Sequence, residues 1–180
     1  EELFYQFKGE MCVKIMEQGK PKDVRIKEGE IFVLPSYIPH SPQRPPGTIG
    51  LVIERERLEK EMDGLRFYTN ENNEEVLFER WFHCTDLGTQ LKPVIDEFFA
   101  SEAKKTGKPT DNSVQSAAFD IDTEIKVEDP QPLSQLLDKL DGDGKLALFD
   151  KGEFKVIAYG SVDTPNTTRD IETFLWQQEG

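Results

Sequence analysis

The sequence predicts a mainly β fold, a small sandwich or barrel of short strands. Two patterns point there. Residues 1–69 carry strand signals at short spacing with turns between them, which suits a sandwich or barrel and not βαβ units. The longest apolar runs, such as Ile31–Leu34 and Val156–Tyr159, have the length of buried strands. The size sets the frame: 180 residues, 36% hydrophobic and 32% charged, suit one large domain or two small ones.

The elements follow in order. Leu3–Phe7 reads as a strand that stops at Gly9. Met11–Met16 alternates, with Cys12, Lys14 and Met16 on one face and Met11, Val13 and Ile15 on the other. A turn at Gly19-Lys20-Pro21-Lys22 leads to a strand marked by Val24 and Ile26, broken at Gly29. Ile31–Leu34 is apolar on both faces and runs into a proline-rich loop, Pro35–Pro46. Ile49–Glu54 is the next strand, with Glu54 on the face of Gly50 and Val52, and residues 74–83 are extended. Gln90–Ala103 reads as a helix with Pro93 in its first turn. Residues 106–131 form a polar stretch, read as a linker or long surface loop. Leu133, Leu136, Leu137 and Leu140 recur at helical spacing. Leu146–Phe149, Phe154–Ala158 and Thr173–Gln177 return to strands.

Charge excludes some functions. Lys+Arg number 22 against 35 Asp+Glu, a net charge of −13, with no basic run to neutralise phosphates, so nucleic acid is not an expected partner. No apolar run reaches the ~20 residues of a membrane helix. Cys12 and Cys84 form no C-x-x-C and no disulfide framework, which suits a reducing, cytoplasmic setting. The sequence opens inside a strand pattern and not on Met, so further sequence is expected upstream.

An internal repeat is suggested by Leu3-Phe4-Tyr5-Gln6-Phe7-Lys8-Gly9 near the start and Phe174-Leu175-Trp176-Gln177-Gln178-Glu179-Gly180 at the end. The expected division is a first unit over 1–109, a linker over 110–126 and a second, shorter copy over 127–180. The second copy has Thr173 where the first has Glu2, so it is expected to hold no metal.

His40 and His83 are the only histidines. Alone, His40 would read as a surface residue in a turn. The spacing changes that: six residues separate Glu2 from Gly9, and Gly29, Pro35 and His40 follow at the spacing of a second short motif. These resemble the tail of the first and most of the second motif of the cupins, small β-barrels that bind divalent metals through histidines and a glutamate. His83, in Trp81-Phe82-His83-Cys84, has no second histidine nearby and reads as packing or surface, and Glu1, out of register with Gly9, reads as structural. Asp141-Gly142-Asp143-Gly144-Lys145 hints at a calcium loop, but the register puts Lys139 at the first ligand position, so a plain turn is expected.

A more specific resemblance covers nearly the whole chain. Leu34-Pro35, His40-Ser41-Pro42-Gln43-Arg44-Pro45, Gly50-Leu51-Val52-Ile53-Glu54-Arg55, Asp63-Gly64-Leu65-Arg66, Asp86-Leu87-Gly88-Thr89-Gln90, Thr106-Gly107-Lys108-Pro109 and Val156-Ile157-Ala158-Tyr159-Gly160 resemble the 3-hydroxyanthranilate 3,4-dioxygenases, most closely the animal type with two cupin units in one chain. The resemblance implies an Fe(II) enzyme that opens the ring of 3-hydroxyanthranilate with O2, on the kynurenine route to quinolinate and NAD. It implies Glu2 and His40 as iron ligands, Glu2 also as a substrate-binding residue, Arg44 as the partner of the substrate carboxylate and Glu54 as a catalytic, substrate-binding group. It places a further iron histidine six positions before Glu2, and a second substrate-side arginine, upstream of Glu1. Some microbial relatives carry a second, cysteine-bound iron, which the lone Cys84 does not reproduce.

The types suit the chemistry. Fe(II) takes mixed imidazole and carboxylate donors with positions left open. A guanidinium is a planar fork that matches a carboxylate. On this reading the 180 residues are a fragment truncated at both ends, expected to be monomeric and, alone, poorly soluble through exposed sheet edges. Two alternatives stand beside it: a cupin-like binding module that no longer holds iron, and a cupin acting on another small acid.

Overall fold

The computed structural model describes residues 1–140, 144–160 and 173–177. It is mainly β, built from small antiparallel sheets. Strands β1 (Glu2–Lys8), β2 (Met11–Glu17), β3 (Lys20–Ile26), β4 (Glu30–Leu34), β5 (His40–Gln43) and β6 (Ile49–Glu54) make up its first part. With β9 (Gln131–Pro132) they form a four-stranded sheet in the order β6-β1-β4-β9 and a three-stranded sheet in the order β3-β2-β5. A hairpin of β7 (Asp63–Tyr68) and β8 (Val76–Phe82) packs on helices α1 (Leu87–Ala100) and α2 (Glu102–Thr106). Helix α3 (Leu133–Leu137) and the hairpin of β10 (Lys145–Phe149) and β11 (Val156–Tyr159) complete the described elements.

The two larger sheets face each other across an apolar core. Phe4, Phe32 and Leu34 come from one sheet, and Met11, Val13, Ile15, Val24 and Ile26 from the other. Strand alternation makes this possible: every second residue of β1 and β2 points inward. The other face of the four-stranded sheet is also apolar. There Leu3 and Ile31 pack against Leu133 and Leu136, with Ile53, Leu148, Phe149, Val156 and Trp176 around them. Gly29 serves both layers, because its φ of +81° lets the chain turn tightly. Its N–H then donates to Gln6 O and its carbonyl accepts from Leu133 N.

Several expectations shift. The proline-rich loop contains a strand, β5, paired to β2 through Cys12↔Gln43, Val13↔Pro42, Lys14↔Ser41 and Ile15↔His40. Pro42 is tolerated because β5 is an edge strand and needs hydrogen bonds on one side only. The helix starts at Leu87, three residues early, capped by Asp86, and it breaks at Ser101. Ser101 is extended there, ending one helix with its N–H on Phe98 O and starting the next with its Oγ accepting from Lys104 N. Strand β7 was not foreseen, because Gly64 and Arg66 interrupt its apolar pattern. Thr173–Gln177 carries no strand; Trp176 instead stacks edge-on against Tyr5 and Phe7 at ring separations of 4.6 and 5.5 Å. The turn at Asp141–Asp143 and the end of the repeat at residues 178–180 lie outside the described residues.

The stretch from 107 to 130 has no helix or strand, yet it is pinned to strands and turns earlier in the chain. Val127 is buried in the core between the sheets. Ser113 O accepts from Glu79 N, and Asp122 N donates to Tyr37 O. This stretch is a strap across the molecule.

Candidate metal centre

Glu2 and His40 meet across the mouth of the core. Glu2 shares the inward face of β1 with buried Phe4, and His40 is the cross-strand partner of buried Ile15, so both point between the sheets. Their side chains touch, His40 Nε2 to Glu2 Oε1 at 3.1 Å, with 27% and 16% exposure. His40 Nδ1 lies 3.0 Å from Ile38 O. A carbonyl and a carboxylate only accept, so Nδ1–H donates to Ile38 O and Nε2–H donates to Glu2.

Burial works to raise the Glu2 carboxyl, but the hydrogen bond and charge of His40 outweigh it and hold Glu2 below its ordinary range. Burial works to lower His40, and the Glu2 hydrogen bond and charge outweigh it, so the imidazole is lifted above its ordinary value. In this arrangement a proton joins the two donors. A divalent cation held by both donors would do the same with a larger charge. The backbone bond at Nδ1 is the kind of outer contact that orients a ligating imidazole. The donor set therefore fits two ligands of a divalent metal. Among the described residues no cluster of three or more His, Cys, Asp or Glu side chains stands ready to hold an ion.

Glu54 stands beside Glu2 as its cross-strand partner on β6. Two carboxylates directly opposite repel each other, which a purely structural sheet avoids. The repulsion is offset by His40 on one side and by Arg57, whose Nη2 lies 3.0 Å from Glu54 Oε2, on the other. Arg44 follows β5 at an even spacing from His40. It is exposed and has no hydrogen-bond or ion-pair partner among the described residues, so its guanidinium is open to a solute anion.

The remaining candidates are structural. Glu1 Oε2 accepts from Phe154 N at 2.6 Å and ties β1 to the β10–β11 turn. His83 Nδ1 pairs with Glu61 O at 2.8 Å. Burial and the charge of Asp63 push the Cys84 thiol up, away from reactivity.

Sequence reasoning missed the strap's part in the site. Tyr37, three residues before His40, holds φ at +63°, unusual for a non-glycine residue. Phe119 packs edge-on against Tyr37 at 5.0 Å and against Trp81 at 4.7 Å. With the Asp122–Tyr37 hydrogen bond, it holds the turn that delivers His40. A lone phenylalanine in a polar run was the only signal.

Residues 1–99 match the family model of 3-hydroxyanthranilic acid dioxygenase. The chain belongs to this family. It is 54% identical to the 3-hydroxyanthranilate 3,4-dioxygenase of Nematostella vectensis, over all of this chain and 65% of that protein. It is 49% and 48% identical to the enzymes of the same name from Mus musculus and Homo sapiens, again over all of this chain and 64% of each. The chain thus spans about two thirds of the length of these relatives. No helix among its described residues is long and apolar enough to cross a membrane.

Proposed function

We propose that this chain is the iron-binding part of a dioxygenase that opens the ring of 3-hydroxyanthranilate with O2, giving 2-amino-3-carboxymuconate semialdehyde on the route to quinolinate and NAD. The observation that carries the reading is the Glu2–His40 pair, in contact at 3.1 Å, with Glu54 beside it and Arg44, unpaired among the described residues, just past the end of β5. Family membership and the relatives' names support it. In this reading residues 1–109 form a cupin barrel, 110–126 link the units, and 127–180 belong to a second, metal-free unit. The protein is cytoplasmic and monomeric. The family pattern calls for a third iron ligand, a histidine six positions before Glu2.

Fe(II) bound by Glu2 and His40 would supply open positions for O2 and for the adjacent amino and hydroxyl groups of the substrate. The chain's own residues do the rest. Arg44 takes the ring carboxylate in a two-pronged hydrogen bond, which fixes which edge of the ring faces the metal. Glu54 accepts the proton that the hydroxyl group gives up on binding and returns it as the product leaves. The apolar wall of Phe4, Phe32 and Val52 below the pair keeps bulk water from the reacting ring.

The test is Arg44→Ala in the native-length protein. Oxygen uptake with 3-hydroxyanthranilate should show KM raised at least tenfold, from losing a charge-assisted pair worth roughly 1.5–3 kcal/mol, with Fe(II) affinity unchanged. Equal loss of both would remove the anchor role, and no ring opening by the wild type would remove the reading.

A further inference from the structure

We propose that Arg57 is a positioning residue for Glu54, a tether that aims the Glu54 carboxylate at the metal-ligand pair. This rests on the reading that Glu54 moves a substrate proton.

All three guanidinium nitrogens are committed. Nη2 donates to Glu54 Oε2 at 3.0 Å and to Asp63 Oδ1 at 3.2 Å. Nε donates to the same Asp63 oxygen at 3.2 Å, and Nη1 to Arg55 O at 2.8 Å. The side chain is only 24% exposed. Arg57 could not swing out to take a substrate carboxylate without breaking this set, so it is not a second anchor like Arg44.

The anchor is itself fixed. Asp63 begins β7 and is paired with Phe82 of β8, the hairpin that carries a separate aromatic core of Phe67, Phe78 and Phe98. Its other oxygen, Oδ2, is buried with no hydrogen-bond partner, so the polar interactions of this carboxylate are spent on Arg57. A rigid line thus runs from the β7–β8 hairpin through Asp63 and Arg57 to Glu54. Without it Glu54, at the exposed end of β6 and beside the like charge of Glu2, would turn toward solvent. A catalytic group held in one rotamer by a second, well-anchored side chain is pre-organised for proton transfer.

The experiment is a double-mutant cycle in the native-length, Fe(II)-loaded protein: Arg57→Ala, Glu54→Gln and both together, with Arg57→Lys and Asp63→Asn alongside. Steady-state oxygen uptake gives kcat and KM, and metal analysis gives iron content. Arg57→Ala is expected to lower kcat about tenfold, with KM within twofold and iron content unchanged. Arg57→Lys recovers part of the loss, because it keeps the charge without the fork. In the Glu54→Gln background Arg57→Ala adds less than twofold. Asp63→Asn, which keeps the shape of the anchor, lowers kcat in the same direction should Arg57→Ala fail to fold. In parallel, the carboxyl 13C resonance of Glu54 in glutamate-labelled protein, assigned by its absence in Glu54→Gln, should shift and broaden in Asp63→Asn. Unchanged kcat, an equal loss with and without Glu54, or an unmoved carboxyl resonance overturns the proposal. A wild type that opens no ring overturns the reading beneath it, and the proposal with it.

Discussion

The strap makes a claim about the metal site from a residue that touches no ligand. Phe119→Ala removes two edge-to-face pairs, to Tyr37 at 5.0 Å and to Trp81 at 4.7 Å. Such pairs are worth roughly 0.5–1.5 kcal/mol each, so the variant should lose about 2 kcal/mol of stability. Tyr37 also holds a left-handed backbone that costs roughly 1–2 kcal/mol, and Phe119 and the Asp122 hydrogen bond help to restrain it. Once the turn relaxes, Ile38 O no longer orients the His40 ring. Metal affinity should then fall about tenfold, the equivalent of about 1.4 kcal/mol. Urea denaturation of the native-length protein gives the first number, and anaerobic titration with Fe(II), or with Co(II) followed optically, gives the second. Lost stability with unaltered metal affinity would refute the link between strap and site. No change in either would refute the packing itself.

Other consequences follow from single contacts. Glu61 is held at a pKa of about 2 by hydrogen bonds from Arg55 and from Leu58 N, well below the ordinary 4.5. Between pH 4.5 and 2 the unfolded chain therefore takes up a proton that the folded one does not, and stability falls as pH falls through that window. Urea midpoints across it should drop less steeply for Glu61→Gln than for the wild type, and equal slopes would show that the pairing does not survive in solution. Gly152 has no room for a Cβ, which would fall on the Glu1 carboxylate. Gly152→Ala should break the Glu1–Phe154 bond at a cost of about 1–2 kcal/mol, and should add little in a Glu1→Ala background; additive losses in urea denaturation would count against this contact.

Much of the fold was legible because its rules are local. Alternation marked β2, turn glycines at 9, 19 and 29 marked strand ends, and the run Ile31–Leu34 marked a strand buried on both faces. What was hidden depended on partners far along the chain. Strand β5 looks like a proline loop until β2 is beside it, since only an edge position excuses Pro42. The strap looks like a linker because its few apolar residues, Phe119 and Val127, find their neighbours only after folding. In the site, Glu2 and His40 were legible through the resemblance of their spacing from Gly9 and Gly29 to the cupin motifs. Arg57 was legible only as one of two partners, with Arg55, that Glu54-Arg55-Glu56-Arg57 offers Glu54, and its second bond to Asp63 is what the structure adds.

The central claim is that Glu2 and His40 are ligands of one metal ion. Anomalous diffraction at the iron edge, from crystals of the native-length protein grown with Fe(II) under anaerobic conditions, tests it directly. The account requires a peak about 2.1 Å from both a Glu2 carboxylate oxygen and His40 Nε2, lost in His40→Ala crystals. Iron bound elsewhere, with the Glu2–His40 hydrogen bond intact, would contradict it.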